Sequence, residues 1–338
     1  VIDEYERAKS LYGKSDNEIF RLYLEEIEAG VTKLKDQLRD KLNAPNIPVE
    51  QQKKIIGNLV QLEPNGDPAW ECLQIQYSHL LKMMDSCRDV HIAKEQSSAP
   101  KTFLTSPAST TKLGGIFPSA ANDSETAMAL PQSVLFIEDV SERLAAYFPD
   151  LWKLGQAYFK GDLVVAPDPG KQAVFKEMIL GAMRYFSNLI RSAVIPQTLK
   201  KKEDVSEYGQ WRTDNAKTTT NWLPHCLRHV RNSYSVFIDL DLPGQVLEII
   251  KDLTTDLRIQ TLHIIFQTVI DQVHLLHEKE DWKQEITDEH GSVTSLPDMF
   301  EDLVSESVQL IKEALLSIDS REEDILSYKD AYSDLETL

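Results

Sequence analysis

The sequence predicts an all-α protein, an elongated rod of consecutive antiparallel helical bundles. Three observations predict it. Apolar residues recur at steps of three and four through most of the chain. Prolines, glycines and capping residues punctuate these runs. No stretch alternates apolar and polar residues for longer than Asp162 to Ala166, so no substantial sheet is expected. The stripes carry no fixed-period internal repeat, which argues against a solenoid of identical units.

The first run sets Val1, Tyr5, Ala8 and Tyr12 on one face, with Arg7 and Lys9 on its flanks and Gly13 at its end. About three helical turns are marginal in water alone. Residues 1–12 are therefore expected to be the end of a longer coiled-coil helix, frayed unless a partner orders it. Val1, Tyr5, Ala8 and Tyr12 are the candidate partner-interface residues. Ser15 and Glu18 form an S-x-x-E capping box that opens the next run, where Phe20, Leu24, Ile27, Val31, Leu34 and Leu38 make a seam for a partner helix. Pro45 and Pro48 interrupt it, and Ile55, Leu59 and Leu62 continue the apolar face up to Pro64.

Asp67 is a natural N-cap, and Pro68 fits the first helical position, where its missing N–H costs nothing. The stripe Trp70, Leu73, Tyr77, Leu80, Met84 and Cys87 follows. From about Glu95 to Leu130 the pattern collapses into Ser, Thr, Ala and Pro with the pair Gly114-Gly115, the composition of a disordered insertion. Its Ser106-Pro107 fits a proline-directed phosphorylation site, although such dipeptides are common in linkers. Val134, Ile137, Val140 and Leu144 restore helical spacing, which passes through Pro149, with a bend expected there, into Trp152, Tyr158 and Phe159. Phe175 to Ala193 gives another helix, closed by Pro196 and a polar gap to about Thr220. Leu223, Leu227, Val230, Tyr234 and Phe237 mark the next. Pro243 then opens the longest run, with Val246, Ile250, Leu253 and Leu257 on a stripe continued by Leu262, Phe266, Val269, Val273 and Leu276.

The expected organisation is thus 1–12 as the end of a long helix, 13–240 as a first bundle carrying the insertion at 95–130, and 241–338 as the start of a second bundle. The chain begins at Val1 without an initiator Met, and Ile325, Tyr328, Tyr332 and Leu335 keep helical spacing to its end. A fragment of something longer is expected.

Composition narrows the function classes. The 338 residues, 42% of them apolar, suffice for about two ordinary domains. A net charge of −18 disfavours nucleic acid and anionic lipid as direct partners, because both need a basic excess. The short run Lys200, Lys201 and Lys202 is answered at once by Glu203, Asp204 and Glu207. Cys72, Cys87 and Cys226 are odd in number and lack a C-x-x-C pair, which fits a reducing compartment and neither a disulfide framework nor a zinc site. No apolar run approaches the roughly 20 residues of a membrane span.

Chemistry-bearing motifs are sparse. Gly13-Lys14-Ser15 copies the end of a phosphate-binding loop, but Ala8 stands where its first glycine belongs and no buried strand precedes it. His225 and His229 share one helical face at the spacing of a zinc helix, with Cys226 in place of the glutamate. Lacking an assignable third ligand, they read as structural, His229 at the edge of the core and His225 toward solvent. Asp271, His274 and His277 line another face, where solvation is the plainer account. Nucleophile elbows and dinucleotide turns are absent. The expectation is no catalytic residue, no metal and no cofactor, with the five tryptophans serving as core anchors.

The ordered landmarks Tyr5 to Lys14, Gly66 to Trp70, Trp152-Lys153-Leu154 with Tyr158 and Gly161, Leu189-Ile190-Arg191, Tyr208-Gly209 with Trp211, Trp222-Leu223, Asp256-Leu257-Arg258-Ile259, Lys279 to Trp282 and Thr294 to Pro297 resemble the Ral-binding subunit family of the exocyst, exocyst complex component 2. The resemblance implies a non-catalytic helical rod in a complex that tethers secretory vesicles to the plasma membrane before SNARE-mediated fusion. It implies other exocyst subunits as partners, and a cytoplasmic protein recruited to sites of exocytosis. The family's Ral GTPase site lies in an immunoglobulin-like domain that matches nothing here, so no residue of this chain inherits it. A helical adaptor of another trafficking complex has the same physical signature, and a metal-dependent helical enzyme would require a closed ligand set at the histidines.

Overall fold

The structure is a computed structural model that describes residues 2–12, 18–43, 47–63, 66–97, 130–163, 168–199, 207–211, 222–280, 282–283, 285–287 and 291–316. Among them are nine α-helices: α1 (Ile2–Tyr12), α2 (Glu18–Leu42), α3 (Val49–Leu62), α4 (Pro68–Ser97), α5 (Gln132–Phe159), α6 (Pro169–Val194), α7 (Leu223–Ile238), α8 (Gly244–Lys279) and α9 (Leu296–Leu316). The all-α expectation holds with one addition that the periodicity did not show. Strands β1 (Glu285–Thr287) and β2 (Gly291–Val293) pair antiparallel between α8 and α9, with Ile286 opposite Ser292. Three-residue strands are too short for an alternation to register. The Ser15 capping hydroxyl, the Gly13-Lys14-Ser15 motif, Ser106-Pro107 and the lysines at 200–202 lie outside the described residues, as does the part of the expected insertion from 98 to 129. No described helix is long and apolar enough to cross a membrane.

The chain divides into two compact units, Val1–Asp85 with Leu144–Ala182, and Ser86–Arg143 with Met183–Leu338. In the first, α1 packs on α2 and α3, and α2 on α3. Ile56, Leu59, Leu73, Leu80, Met84, Leu154, Tyr158 and Ile179 are almost wholly buried. α5 runs unbroken through Pro149. Gly155 lies directly under the Phe175 ring, where a Cβ would overlap the ring carbons, and Trp152 stacks on Phe175 at 5.8 Å between centroids. A side chain at 155 would force the helices apart, so glycine here is a packing requirement.

Asp67 ties this unit together. Its Oδ1 accepts the Trp70 N–H at 3.0 Å, the expected cap, while Oδ2 accepts the Tyr158 hydroxyl at 2.6 Å and the Lys171 ammonium. Lys171 also sits over the Trp70 ring, 5.4 Å from its centroid. Burial pushes the Asp67 carboxyl up, but the hydrogen bonds from Lys171, Tyr158 and Trp70 outweigh it and hold the group below its ordinary value. One capping residue thereby joins the starts of α4 and α6 to the end of α5.

In the second unit, α7 packs on α8, and α8 on α9. Val246, Ile250, Leu253 and Leu257 are fully buried, so the first half of the long α8 stripe is core. Arg191 forks onto Asp256 Oδ2 through Nε at 3.0 Å and Nη2 at 2.7 Å, joining α6 to α8. The short segment 207–211, inside the expected polar gap, is an anchor. Trp211 packs on Phe136, Tyr208 on Tyr185, and the Tyr208 carbonyl accepts the Ser192 hydroxyl. Gly209 has φ +120, and a Cβ there would lie 2.9 Å from Ile92 Cδ1, so only glycine fits. Four tryptophans pack as anchors, but Trp282 is 76% exposed after α8, its N–H donated to Glu280 Oε1.

Candidate functional site

Among the described residues, side chains able to ligate a metal converge in two places, both in the second unit. In one, His91 and Cys87 of α4 meet Asp139 of α5. His91 is saturated, with Nε2 2.9 Å from Asp139 Oδ2 and Nδ1 3.2 Å from Gln132 Oε1. Burial pushes the Cys87 thiol up to about 11. Burial favours the protonated thiol, both imidazole nitrogens are engaged, and the contacts of His91 fasten α4 to α5.

The second place joins Glu138 of α5 to His225 and His229 of α7. Steps of four put both histidines on one face, as the sequence indicates. The surroundings differ from expectation, because the two side chains are only 20% and 14% exposed, and His225 does not point freely to solvent. Both are lowered from the ordinary 6.5, chiefly by burial. For His225, the neighbouring His229 and Arg228 add to the lowering; for His229, Glu138 partly opposes it. The residue that sequence reasoning missed is Glu138, which lies 87 and 91 positions away and faces them only because α5 packs on α7. Small residues permit that approach. The Ser233 hydroxyl donates to the Ser141 carbonyl at 3.1 Å, about one turn from His229 and Glu138 respectively. Asp271, His274 and His277 are not brought together with a further ligand among the described residues. All three are exposed, His277 Nδ1 lies 2.6 Å from the His274 carbonyl, and Asp271 accepts Gln267.

The larger feature is apolar surface. Along the α2 seam Val31 is buried, Leu24, Leu34 and Leu38 are half-buried, and Phe20 and Ile27 are exposed. Leu22 and Tyr23 are 59% and 61% exposed, with Ile19 beside them. Tyr5 and Ala8 are half-buried, and Tyr5 lines a groove of about 520 Å³ with Ile27, Val31 and Leu34. The side chains of Val1 and Tyr12 lie outside the described residues. A second uncovered face follows the distal half of α8 at Phe266, Ile270 and Val273 and continues on α9 at Phe300, Val304 and Val308. Of the stripe expected along the distal half of α8, Leu262 and Leu276 are buried and Phe266 and Val273 are exposed, so it is covered only in part.

Helical faces left open to water beside well-filled cores define a helical interaction protein. Comparison with known proteins places it further. The family model described as Exocyst complex component Sec5 matches residues 1–336, and the chain belongs to that family. It is 32% identical to exocyst complex component 2 of Mus musculus over 92% of this chain and 36% of that protein. It is 31% identical to the Drosophila melanogaster protein of the same name, over 96% of this chain and 36% of that one. A 94-residue stretch is 29% identical to exocyst complex component SEC5B of Arabidopsis thaliana, 28% of this chain and 9% of that protein. The chain spans about a third of the length of the animal relatives. No solved structure matches it.

Proposed function

We propose that this chain is a scaffold segment of an exocyst subunit, and that it helps hold secretory vesicles at the plasma membrane before SNARE-mediated fusion through contacts with other exocyst subunits. The observation that carries the reading is the family match across residues 1–336. The exposed apolar residues Ile19, Leu22, Tyr23 and Ile27 of α2 support it, because apolar side chains left open in their own chain are suited to a partner helix. The protein works from the cytoplasm at sites of exocytosis and performs no catalysis. We assign no Ral GTPase and no lipid contact to these residues.

The partner helix is proposed to lie along Ile19, Leu22, Tyr23 and Ile27 and to engage the candidates Val1, Tyr5, Ala8 and Tyr12. The test is the double substitution Leu22→Asp with Tyr23→Asp in the full-length protein, read by co-purification of the other exocyst subunits. Loss of those subunits, with the thermal stability of the present chain unchanged, is expected. Undiminished co-purification would remove α2 from the interface. Recovery of a different trafficking complex by the unaltered protein would replace the exocyst assignment.

A further inference from the structure

We propose that Glu138, His225 and His229 form a binding site for one divalent transition-metal ion of the zinc class, clamping α5 to α7. One ligand atom from each lies within 4.8 Å of the other two. Glu138 presents its two oxygens separately, Oε2 4.0 Å from His225 Nε2 and Oε1 3.9 Å from His229 Nε2. These separations are too long for hydrogen bonds. Both Nε2 atoms are buried without a hydrogen-bond partner, an arrangement that carries a desolvation cost unless something fills the space between them. Zinc bonds of about 2.0–2.2 Å in a tetrahedron place neighbouring ligand atoms on the order of 3.3 Å apart. Loading therefore asks the two carboxylate-to-imidazole distances to close by roughly 0.6–0.7 Å, within the reach of side-chain rotations.

The ligand chemistry fits. Two imidazoles and one carboxylate are a recognised zinc set that leaves a fourth position for water. Burial keeps both histidines neutral at pH 7, the state that coordinates. Glu142, one turn beyond Glu138 on α5, adds negative charge near His229. Trp222 closes one side, its ring edge-on to His225 at 6.1 Å. One neighbour opposes binding. Exposed Arg228 donates Nη2–H to His225 Nδ1 at 3.2 Å, which puts the proton of neutral His225 on Nε2. Metal at Nε2 requires the other neutral tautomer, with the proton moved to Nδ1 by exchange through solvent, and Nδ1–H then turns Arg228 aside, so Arg228 is a gate on affinity and not a ligand.

The experiment is calorimetric titration of Zn²⁺ into the purified chain after chelator treatment at pH 7.5, repeated with Co²⁺ and read by visible absorption. The proposal expects one ion per chain. It expects affinity weakened by more than about tenfold in both Glu138→Gln and His229→Gln, with unchanged far-ultraviolet circular dichroism. Arg228→Gln should bind as tightly as the parent or more so. The cobalt form should lack thiolate charge transfer. Four results would overturn it: no binding at micromolar zinc, binding indifferent to Glu138→Gln and His229→Gln, weaker binding in Arg228→Gln, or a thiolate band that assigns the ion to Cys87 and its neighbours.

Discussion

Tyr158 donates its hydroxyl to Asp67 at 2.6 Å, across 91 residues of sequence, and the same carboxylate caps α4. The Gly66 to Trp70 landmark and the Trp152 to Gly161 landmark of the sequence are thus two halves of one contact. The same holds for Leu189-Ile190-Arg191 and Asp256-Leu257-Arg258-Ile259, which meet in the Arg191–Asp256 pair. In these two pairs, residues that carry the family resemblance fasten helices together.

Asp67→Ala removes a cap and two further hydrogen bonds and should cost about 2–4 kcal/mol in urea unfolding. Asp67→Asn keeps a capping oxygen and should cost less, and Tyr158→Phe about 1 kcal/mol. Since the folded carboxyl is held below 3.8, this tie is at full strength above the unfolded value. It should fade as pH falls through the lower folded one.

Gly155→Ala should destabilise by about 1–3 kcal/mol through overlap with the Phe175 ring. Adding Phe175→Leu should recover part of the loss. If the single variant is neutral in thermal unfolding, the helices there are less closely packed than described.

Arg191→Lys keeps the charge but loses the fork onto Asp256 and should cost about 1–2 kcal/mol. Arg191→Lys combined with Asp256→Asn should cost less than the sum of the single changes in a double-mutant cycle.

With chelator present, the neutral burial of His225 and His229 sets a pH dependence. Their folded values lie below the ordinary 6.5, so the unfolded chain takes up protons first as pH falls. Stability should be level above pH 6.5 and decline below it toward the folded values. The facing charges are Glu138, Glu142 and Arg228. The double variant His225→Gln with His229→Gln should flatten that slope in urea midpoints measured from pH 7.5 to 5.

The helices were legible because burial on one side of a helix imposes a 3.6-residue period that survives without any knowledge of partners. The Asp67 cap was legible because a cap acts within one turn of itself. Three things were not. The hairpin at 285–293 is too short to print a period. Trp282 carries the same residue type as the core tryptophans but follows a helix end, where it stays exposed among the described residues. On the distal half of α8, exposed Phe266 and Val273 lie on the same stripe as buried Leu262 and Leu276, since periodicity reports which residues share a face and not what lies against it.

The sequence by itself determined the helices, the absence of an apolar run long enough for a membrane span, and the residues through which this chain resembles its relatives. The tertiary structure alone decided which distant segments share a core, interleaving residues 144–182 with 1–85 and 183–338 with 86–143. It also brought Glu138 to a histidine pair that no linear spacing connects to it. The physical reason is range: capping and helical periodicity act over a few residues, whereas the approach of α5 to α7 brings the Ser233 hydroxyl to the Ser141 carbonyl across 92 positions.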